Sequence, residues 1–170
     1  MTNKTKLTIA GGIMIWMAGA CFAQNDSARA AEPSKYFRLD FVVKEVEGGK
    51  TMNARHYATT IVTGTGEASV IRTGSKLPIA VGGQDTQITY IDVGVSIDCR
   101  WAKETGGDLA LNVTAEISSA GDSSRQPMVR QNKWSSNVIA PMGKPTVIFS
   151  SDDVASKGQM QLELTATPVR

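Results

Sequence analysis

The strictest alternation in this chain is found in Tyr90-Ile91-Asp92-Val93-Gly94-Val95-Ser96-Ile97-Asp98-Cys99-Arg100-Trp101. Odd-numbered positions from 89 to 101 read Thr, Ile, Val, Val, Ile, Cys and Trp, and the positions between them read Tyr, Asp, Gly, Ser, Asp and Arg. A period of two predicts a β-strand with one face on apolar packing and the other on water. Few strands of soluble proteins are that long, so the pattern indicates a tall sheet, a barrel wall or an oligomeric ring.

Shorter alternating runs lie on both sides of this strand, which we place at 87–101. Working outward, we predict a hairpin over 36–63, a short strand over 68–73, a return arm over 109–117, and strands over 129–140, 146–149 and 160–166. The segments rich in Gly, Ser, Pro and Asp predict turns or loops. These are Glu47-Gly48-Gly49-Lys50, Gly74-Ser75-Lys76-Leu77-Pro78, Gly82-Gly83, Thr105-Gly106-Gly107-Asp108, 118–126 and 142–145.

The pattern predicts an all-β chain: an antiparallel sandwich or barrel-like sheet of about seven to nine strands, preceded by an N-terminal signal helix. The segment 152–157 offers one helical turn at most. Trp101 and Trp134 are expected to close the core or to lie at a sheet rim, with an aromatic belt at a membrane as the alternative. We expect four apolar faces to pack on one another, at 37–43, 89–101, 109–117 and 160–166.

The first 23 residues have the composition of an export signal. Lys4 and Lys6 precede an uncharged apolar run from Leu7 to Ala23 that ends in small residues. We predict a signal peptide over 1–23, with a cut after Ala30 as an alternative, then a disordered lead over 24–35 and a single β domain over 36–170. Two other interpretations stay open, a retained membrane anchor and a lipoprotein acylated at Cys21.

Charge and cysteine content argue against several classes of function. The chain has 18 Lys and Arg against 16 Asp and Glu, and Lys4 and Lys6 belong to the leader, so the remainder is balanced. A balanced chain gives no argument for binding nucleic acid or anionic lipid. Beyond Cys21 the sequence has only Cys99, on the apolar side of the long strand, and we predict a small core residue rather than a reactive thiol.

Groups that carry catalysis or bind metals are scarce. The single histidine, His56, lies at a polar strand start and is predicted to face solvent, although a hydrolase triad would have to be built around it. Zinc needs several His or Cys ligands. Asp152-Asp153 is predicted to be a solvated turn rather than a calcium site, because no spaced series of oxygen ligands follows it. We therefore predict a protein that is not an enzyme, with no cofactor and no metal.

Five short motifs follow one another over about 67–151. They are Ala68 with a run to Gly74 and Pro78, the run from Tyr90 through Gly94 to Ile97, Glu116-Ile117-Ser118, Pro127 with the strand to Ile139, and Gly143 with the run 144–148. In this order they resemble the C-terminal domain of bacterial secretins, the outer-membrane ring channels of type II and III secretion and type IV pili. The sequence departs from the family pattern at three sites: Trp101 stands for Pro, Asn132 for Arg, and the tripeptide Phe149-Ser150-Ser151 for Gly-Gly-Leu.

The resemblance implies structural roles for Gly74, Pro78, Gly94, Glu116, Ser118, Pro127 and Gly143 in a reduced secretin-like module. It also implies an exported, non-catalytic protein of the periplasm or outer membrane of a diderm bacterium, with a structural, assembly or interaction role linked to secretion or pilus machinery. The expected partners are copies of the chain or other envelope proteins, and membrane association stays open. The alternative is a soluble periplasmic β-sandwich that binds a partner unrelated to secretion.

Overall fold

The computed structural model describes residues 33–81, 87–121, 128–153 and 157–169, and these ranges contain strands but no helix. The predicted signal helix, Cys21, Gly82-Gly83 and Pro127 lie outside them. Among the residues described, therefore, no helix is long and apolar enough to cross a membrane. The strands are β1 (Tyr36–Glu47), β2 (Lys50–Val62), β3 (Ser69–Val81), β4 (Gln87–Thr105), β5 (Asp108–Gly121), β6 (Met128–Pro141), β7 (Thr146–Asp152) and β8 (Gly158–Pro168).

Two four-stranded sheets, β2-β1-β8-β7 and β3-β4-β5-β6, form an antiparallel sandwich, which confirms the predicted fold class. Two-residue turns join β1 to β2 and β4 to β5. Their glycine pairs, Gly48-Gly49 and Gly106-Gly107, have positive φ angles, the backbone conformation that two-residue hairpin turns require. The turn chemistry of the sequence thus fixes two of the hairpins directly.

The core lies between the inner faces of the two sheets. β1 and β8 of the first sheet face β4 and β5 of the second, as the alternation predicted for 37–43, 109–117 and 160–166. The largest fully buried side chains are Phe37, Leu39, Phe41, Ile97, Cys99, Leu109, Val113, Leu162 and Leu164. Each large apolar side chain removed from water contributes about 1.5–3 kcal/mol, so this layer dominates the stability of the fold.

The outer faces of both sheets are polar and carry ion pairs between neighbouring strands. Lys44 Nζ lies 2.6 Å from Glu163 Oε1 across β1 and β8, and Arg72 lies 2.7 Å from Asp98 Oδ2 across β3 and β4. Both outer faces therefore suit contact with water.

The predicted turn over Gly74-Ser75-Lys76-Leu77-Pro78 is wrong. This segment continues β3, which pairs with β4 from Ser69 opposite Cys99 to Val81 opposite Gln87. Proline lacks a backbone N–H but is tolerated on an edge strand, where that position faces away from the sheet, and β3 is such an edge. The Gly and Pro that indicated a turn are thus accommodated within an extended strand.

The predicted apolar face of the long strand is only partly correct. Val95, Ile97 and Cys99 are buried, but Trp101 is 66% exposed and has a positive φ of 52°. The pairing of β4 with β5 shifts between Arg100 and Lys103, and this β-bulge turns Ala102 inward in place of Trp101. Ile91 at the other end of the strand is also exposed.

Two strands extend further than predicted. β5 continues through Ser118 to Gly121, so the polar loop predicted over 118–126 is replaced by strand in its first part. Asp152 ends β7, so the segment 152–157, for which one helical turn at most was predicted, begins as strand; residues 154–156 lie outside the described ranges.

Candidate functional site: a glycine pair and the sheet edges

Gly74 and Gly94 face each other across β3 and β4, and the two backbones approach closely there. A Cβ added at Gly94 would overlap the carbonyl oxygen of Thr73 and the Cα of Gly74, and one added at Gly74 would overlap the carbonyl oxygen of Val93. Gly94 also has a φ of 152°. Only glycine fits such an approach without displacing backbone, so both positions are sterically determined.

Ser118 on β5 fixes the backbone of this glycine pair from the other side. The Gly94 N–H donates a hydrogen bond of 3.0 Å to Ser118 Oγ, and the Ser118 side chain is buried. This contact lies one step beyond Val95 and Ile117, where the regular pairing of β4 with β5 stops. A side-chain hydrogen bond therefore replaces the backbone ladder at the point where the two strands separate.

Beyond Gly94 the second sheet divides into two hairpins. β3 and β4 stay paired out to Val81 and Gln87, and β5 and β6 stay paired out to Gly121 and Met128. We call residues 75–81 and 87–93 the β3–β4 ribbon. Its larger apolar side chains are exposed or half-buried, namely Leu77, Ile79, Val81, Ile88, Tyr90, Ile91 and Val93.

Four of the residues singled out in the sequence come together at the fork, the point near Gly94 where the β3–β4 ribbon separates from β5. Gly74, Gly94, Glu116 and Ser118 line one surface depression of about 410 Å³. Glu116 Oε1 accepts a hydrogen bond of 2.7 Å from Gln131, and its other oxygen lies 3.7 Å from Lys133 Nζ.

The other predicted motif residues do not join this group. Pro78 lies on the ribbon opposite Tyr90, and Gly143 lies in the β6–β7 connection, where its N–H donates to the carbonyl of Ala166 at 2.8 Å. Pro127 is outside the described residues.

The edge strands of the two sheets lie on shared flanks of the sandwich. On one flank β2 meets β3, where the hydroxyls of Thr59 and Ser69 are 2.6 Å apart. On the other flank β6 meets β7, where the rings of Trp134 and Phe149 are 5.6 Å apart. Trp134 therefore lies at a rim, as one prediction had it. An edge strand presents unpaired N–H and C=O groups, so each flank offers two parallel templates for further strands.

Sequence reasoning missed two apolar residues on these edges. Val70 on β3 is 48% exposed and Ile139 on β6 is 65% exposed, both on the polar outer face of the second sheet. One local feature of the sequence could have identified them, since each is an apolar residue on the face where its strand otherwise carries mostly polar residues.

The chemically reactive side chains are dispersed in this structure. His56 is exposed on β2 opposite Val42. Burial, reinforced by the neighbouring charge of Asp98, raises the pKa of the Cys99 thiol to about 12, so the thiolate nucleophile is suppressed. In residues 33–81, 87–121, 128–153 and 157–169, no group of three or more His, Cys, Asp or Glu side chains is arranged to hold a metal ion.

The adjacent carboxylates Asp152 and Asp153 have separate partners. Gln159 donates a hydrogen bond of 3.0 Å to Asp152 Oδ1, and the Arg130 guanidinium lies 3.0 Å from Asp153 Oδ2. These residues line a cleft of about 600 Å³ between the open ends of the two sheets, together with Ile117 and Met160. The two carboxylates serve contacts within and between sheets.

No family model matches the chain, and no curated protein matches it in sequence. Solved structures do match. The secretin domain of InvG from the Salmonella SPI-1 injectisome superposes with a TM-score of 0.53, at 7% identity over 82% of this chain and 64% of that chain. A near-atomic structure of the same secretin gives a TM-score of 0.55, 9% identity, and coverage of 82% and 66%. The chain has the secretin-domain fold.

The match extends beyond the motifs that first indicated it. They covered about 67–151, whereas the structural likeness covers 82% of the chain, so the predicted resemblance to secretins is confirmed at the level of the fold. This chain spans less than two thirds of the InvG chains it matches. In a further structure, with a TM-score of 0.55, 9% identity and coverage of 82% and 47%, InvG is seen with the basal-body proteins PrgH and PrgK.

Proposed function

We propose that this protein is an exported, non-catalytic cell-envelope component whose β module assembles side by side with copies of itself into a ring. The observation that carries the proposal is the arrangement of edges. β2 and β3 share one flank, and β7 and β6 share the other, so one neighbour can extend both sheets at once.

The strand count supports the same arrangement. Each sheet has four strands and all neighbours are antiparallel, so β6 of one copy beside β3 of the next, and β7 beside β2, continue the alternation. Contact between different flanks is head-to-tail, and such contacts generate rings when the rotation closes. Closure also removes the exposed edges that would otherwise promote aggregation.

The fold shared with InvG supports an envelope role linked to secretion or pilus machinery, in the periplasm or outer membrane, with other envelope proteins as further partners. Gly74, Gly94, Glu116 and Ser118 then have a structural function, setting where the β3–β4 ribbon leaves the sheet. The suppressed Cys99 thiol and the lone exposed histidine favour a protein that is not an enzyme.

Light scattering on the purified full chain, together with fractionation of cells into periplasm, inner membrane and outer membrane, tests this proposal. We expect a particle of many subunits recovered with the envelope. A compact monomer in the soluble periplasm would contradict it and favour the alternative, a β-sandwich that binds an unrelated partner.

A further inference from the structure

We propose that β3 of one copy pairs with β6 of the next copy at a defined register, in which Val70 lies opposite Ile139. This inference rests on the proposed ring and specifies its joint. It commits to a second copy of this chain as the occupant of the β3 edge.

The first argument is the orientation of side chains. Within one copy, a row perpendicular to the strands runs through Val70, Asp98, Thr114 and Ser135, all on the outer face. A shift by an odd number of residues would turn the buried face of the neighbouring strand outward. The joint between copies is therefore displaced from this row by an even number of residues.

The second argument is strand length. β3 has 13 residues and β6 has 14. With Val70 opposite Ile139, Ser69 falls opposite Ala140 and Val81 opposite Met128, so that β3 is paired along its whole length. With no displacement, Val70 would lie opposite Ser135, and 78–81 and 137–141 would have no partner.

The third argument is the geometry of closed sheets. At about 3.3 Å per residue and about 4.7 Å between strands, a displacement of four residues over four strands inclines the strands by about 35°. Closed sheets typically tilt by about 35–45°. A displacement of two residues would give only about 20° by the same relation.

The fourth argument is chemical. The register brings together two exposed apolar side chains of the outer face, Val70 and Ile139, one on each edge strand. Next to them it places Ile71 opposite Val138, both half-buried, on the inner face. Apolar cross-strand pairs of this kind stabilise a sheet by roughly 0.2–1 kcal/mol each.

One pair opposes this register. Lys76 would face Lys133, and like charges directly opposite are unfavourable. Each lysine already has an acidic neighbour in its own copy, with Asp92 3.7 Å from Lys76 and Glu116 3.7 Å from Lys133. The four side chains therefore alternate in sign around the joint and reduce the repulsion.

Disulfide cross-linking of the full chain, in a Cys21→Ala, Cys99→Ala background, tests the register. The variant pairs are Val70→Cys with Ile139→Cys, with Asn137→Cys, and with Ser135→Cys. In one copy β3 and β6 are the two outer strands of a four-stranded sheet, about 14 Å apart, which is too far for a disulfide within the chain. Mild oxidation of the Val70→Cys, Ile139→Cys variant should yield a ladder of dimers, trimers and larger species.

Control experiments distinguish a wrong register from a wrong joint and from the absence of a ring. With Cys21 and Cys99 both replaced, Val70→Cys alone carries a single thiol and should give no species larger than dimers. A stronger ladder from the Asn137 or Ser135 pair would overturn the register while the ring survives. Absence of any ladder from a particle that light scattering shows to be multimeric would overturn the β3–β6 joint. A monomer in light scattering would overturn the proposed function itself.

Discussion

The two halves of β4 have the same alternating pattern but different surroundings. From Val95 to Cys99 the odd-numbered side chains are buried, because β5 pairs beside them and the other sheet covers them. Beyond Gly94, β5 no longer pairs with the strand, and on the same odd-numbered face Ile91 is 39% exposed and Val93 is only half-buried. A period of two specifies which face is apolar, whereas neighbouring strands determine whether that face is covered.

Replacing Phe41 by Ala should have the largest effect, because it removes a fully buried ring from the covered part of the sandwich. Such a change typically costs about 3–5 kcal/mol through lost burial and a residual cavity. Urea unfolding followed by circular dichroism measures the loss.

The matched control is Tyr36→Ala, an aromatic residue on the same strand that is largely exposed. Surface substitutions usually change stability by no more than about 0.5 kcal/mol. Equal losses for the two variants would mean that the first sheet does not pack as described.

Gly94→Val probes the point where the two halves of β4 meet. The added side chain would overlap backbone atoms of Thr73 and Gly74, which cannot move aside as a flexible side chain could. Overpacking of this kind costs about 1–3 kcal/mol, and we expect a lower urea midpoint and weaker assembly. Gly121→Ala is the control, since an added Cβ there meets atoms only at 3.6 Å and beyond. Wild-type stability and assembly of Gly94→Val would contradict the steric role of the glycine pair.

The accuracy of the sequence predictions varied along the chain for identifiable reasons. Strands such as β1, β5 and β8 were predictable, because local alternation coincides with packing against the opposite sheet. Gly74 and Pro78 misled the assignment of β3, because a close backbone approach and an edge position select the same residues as a turn does. Trp101 misled the assignment of the buried face of β4, since a β-bulge shifts the alternation by one residue without a clear local signal.

The motif residues of the site were predictable only as a set. Gly94 and Ser118 could be singled out from the order of the motifs, but their hydrogen bond depends on where β4 and β5 separate, which is a property of the whole sheet. Val70 and Ile139 were missed for a similar reason, because an exposed apolar residue has no meaning until its strand is known to be an edge.

Cys99 provides a pH-dependent measure of the covered half of β4. Its pKa is raised in the folded protein from 9.0 to about 12. The neutral thiol is therefore favoured by folding, its contribution is fully present below pH 9, and it is lost as the pH rises towards 12. We expect the stability of the wild type to fall between pH 9 and 10 by about 1 kcal/mol more than that of Cys99→Ala. Parallel stability curves for the two proteins over this range would show that the thiol is not desolvated.

Ser118→Ala should have the smallest effect and the most local one. It removes the acceptor of the Gly94 N–H at the fork while leaving the glycine pair intact, and a lost hydrogen bond typically costs about 1 kcal/mol. Ser135→Ala, on an exposed hydroxyl pair with Thr114, is the control and should cost less. Because the Gly94 amide donates to Ser118 at the point where β5 diverges, its hydrogen exchange should accelerate in Ser118→Ala and stay unchanged in Ser135→Ala. If the exchange of Gly94 were equally slow in both variants, another group would protect this amide, and the serine would not define where the ribbon begins.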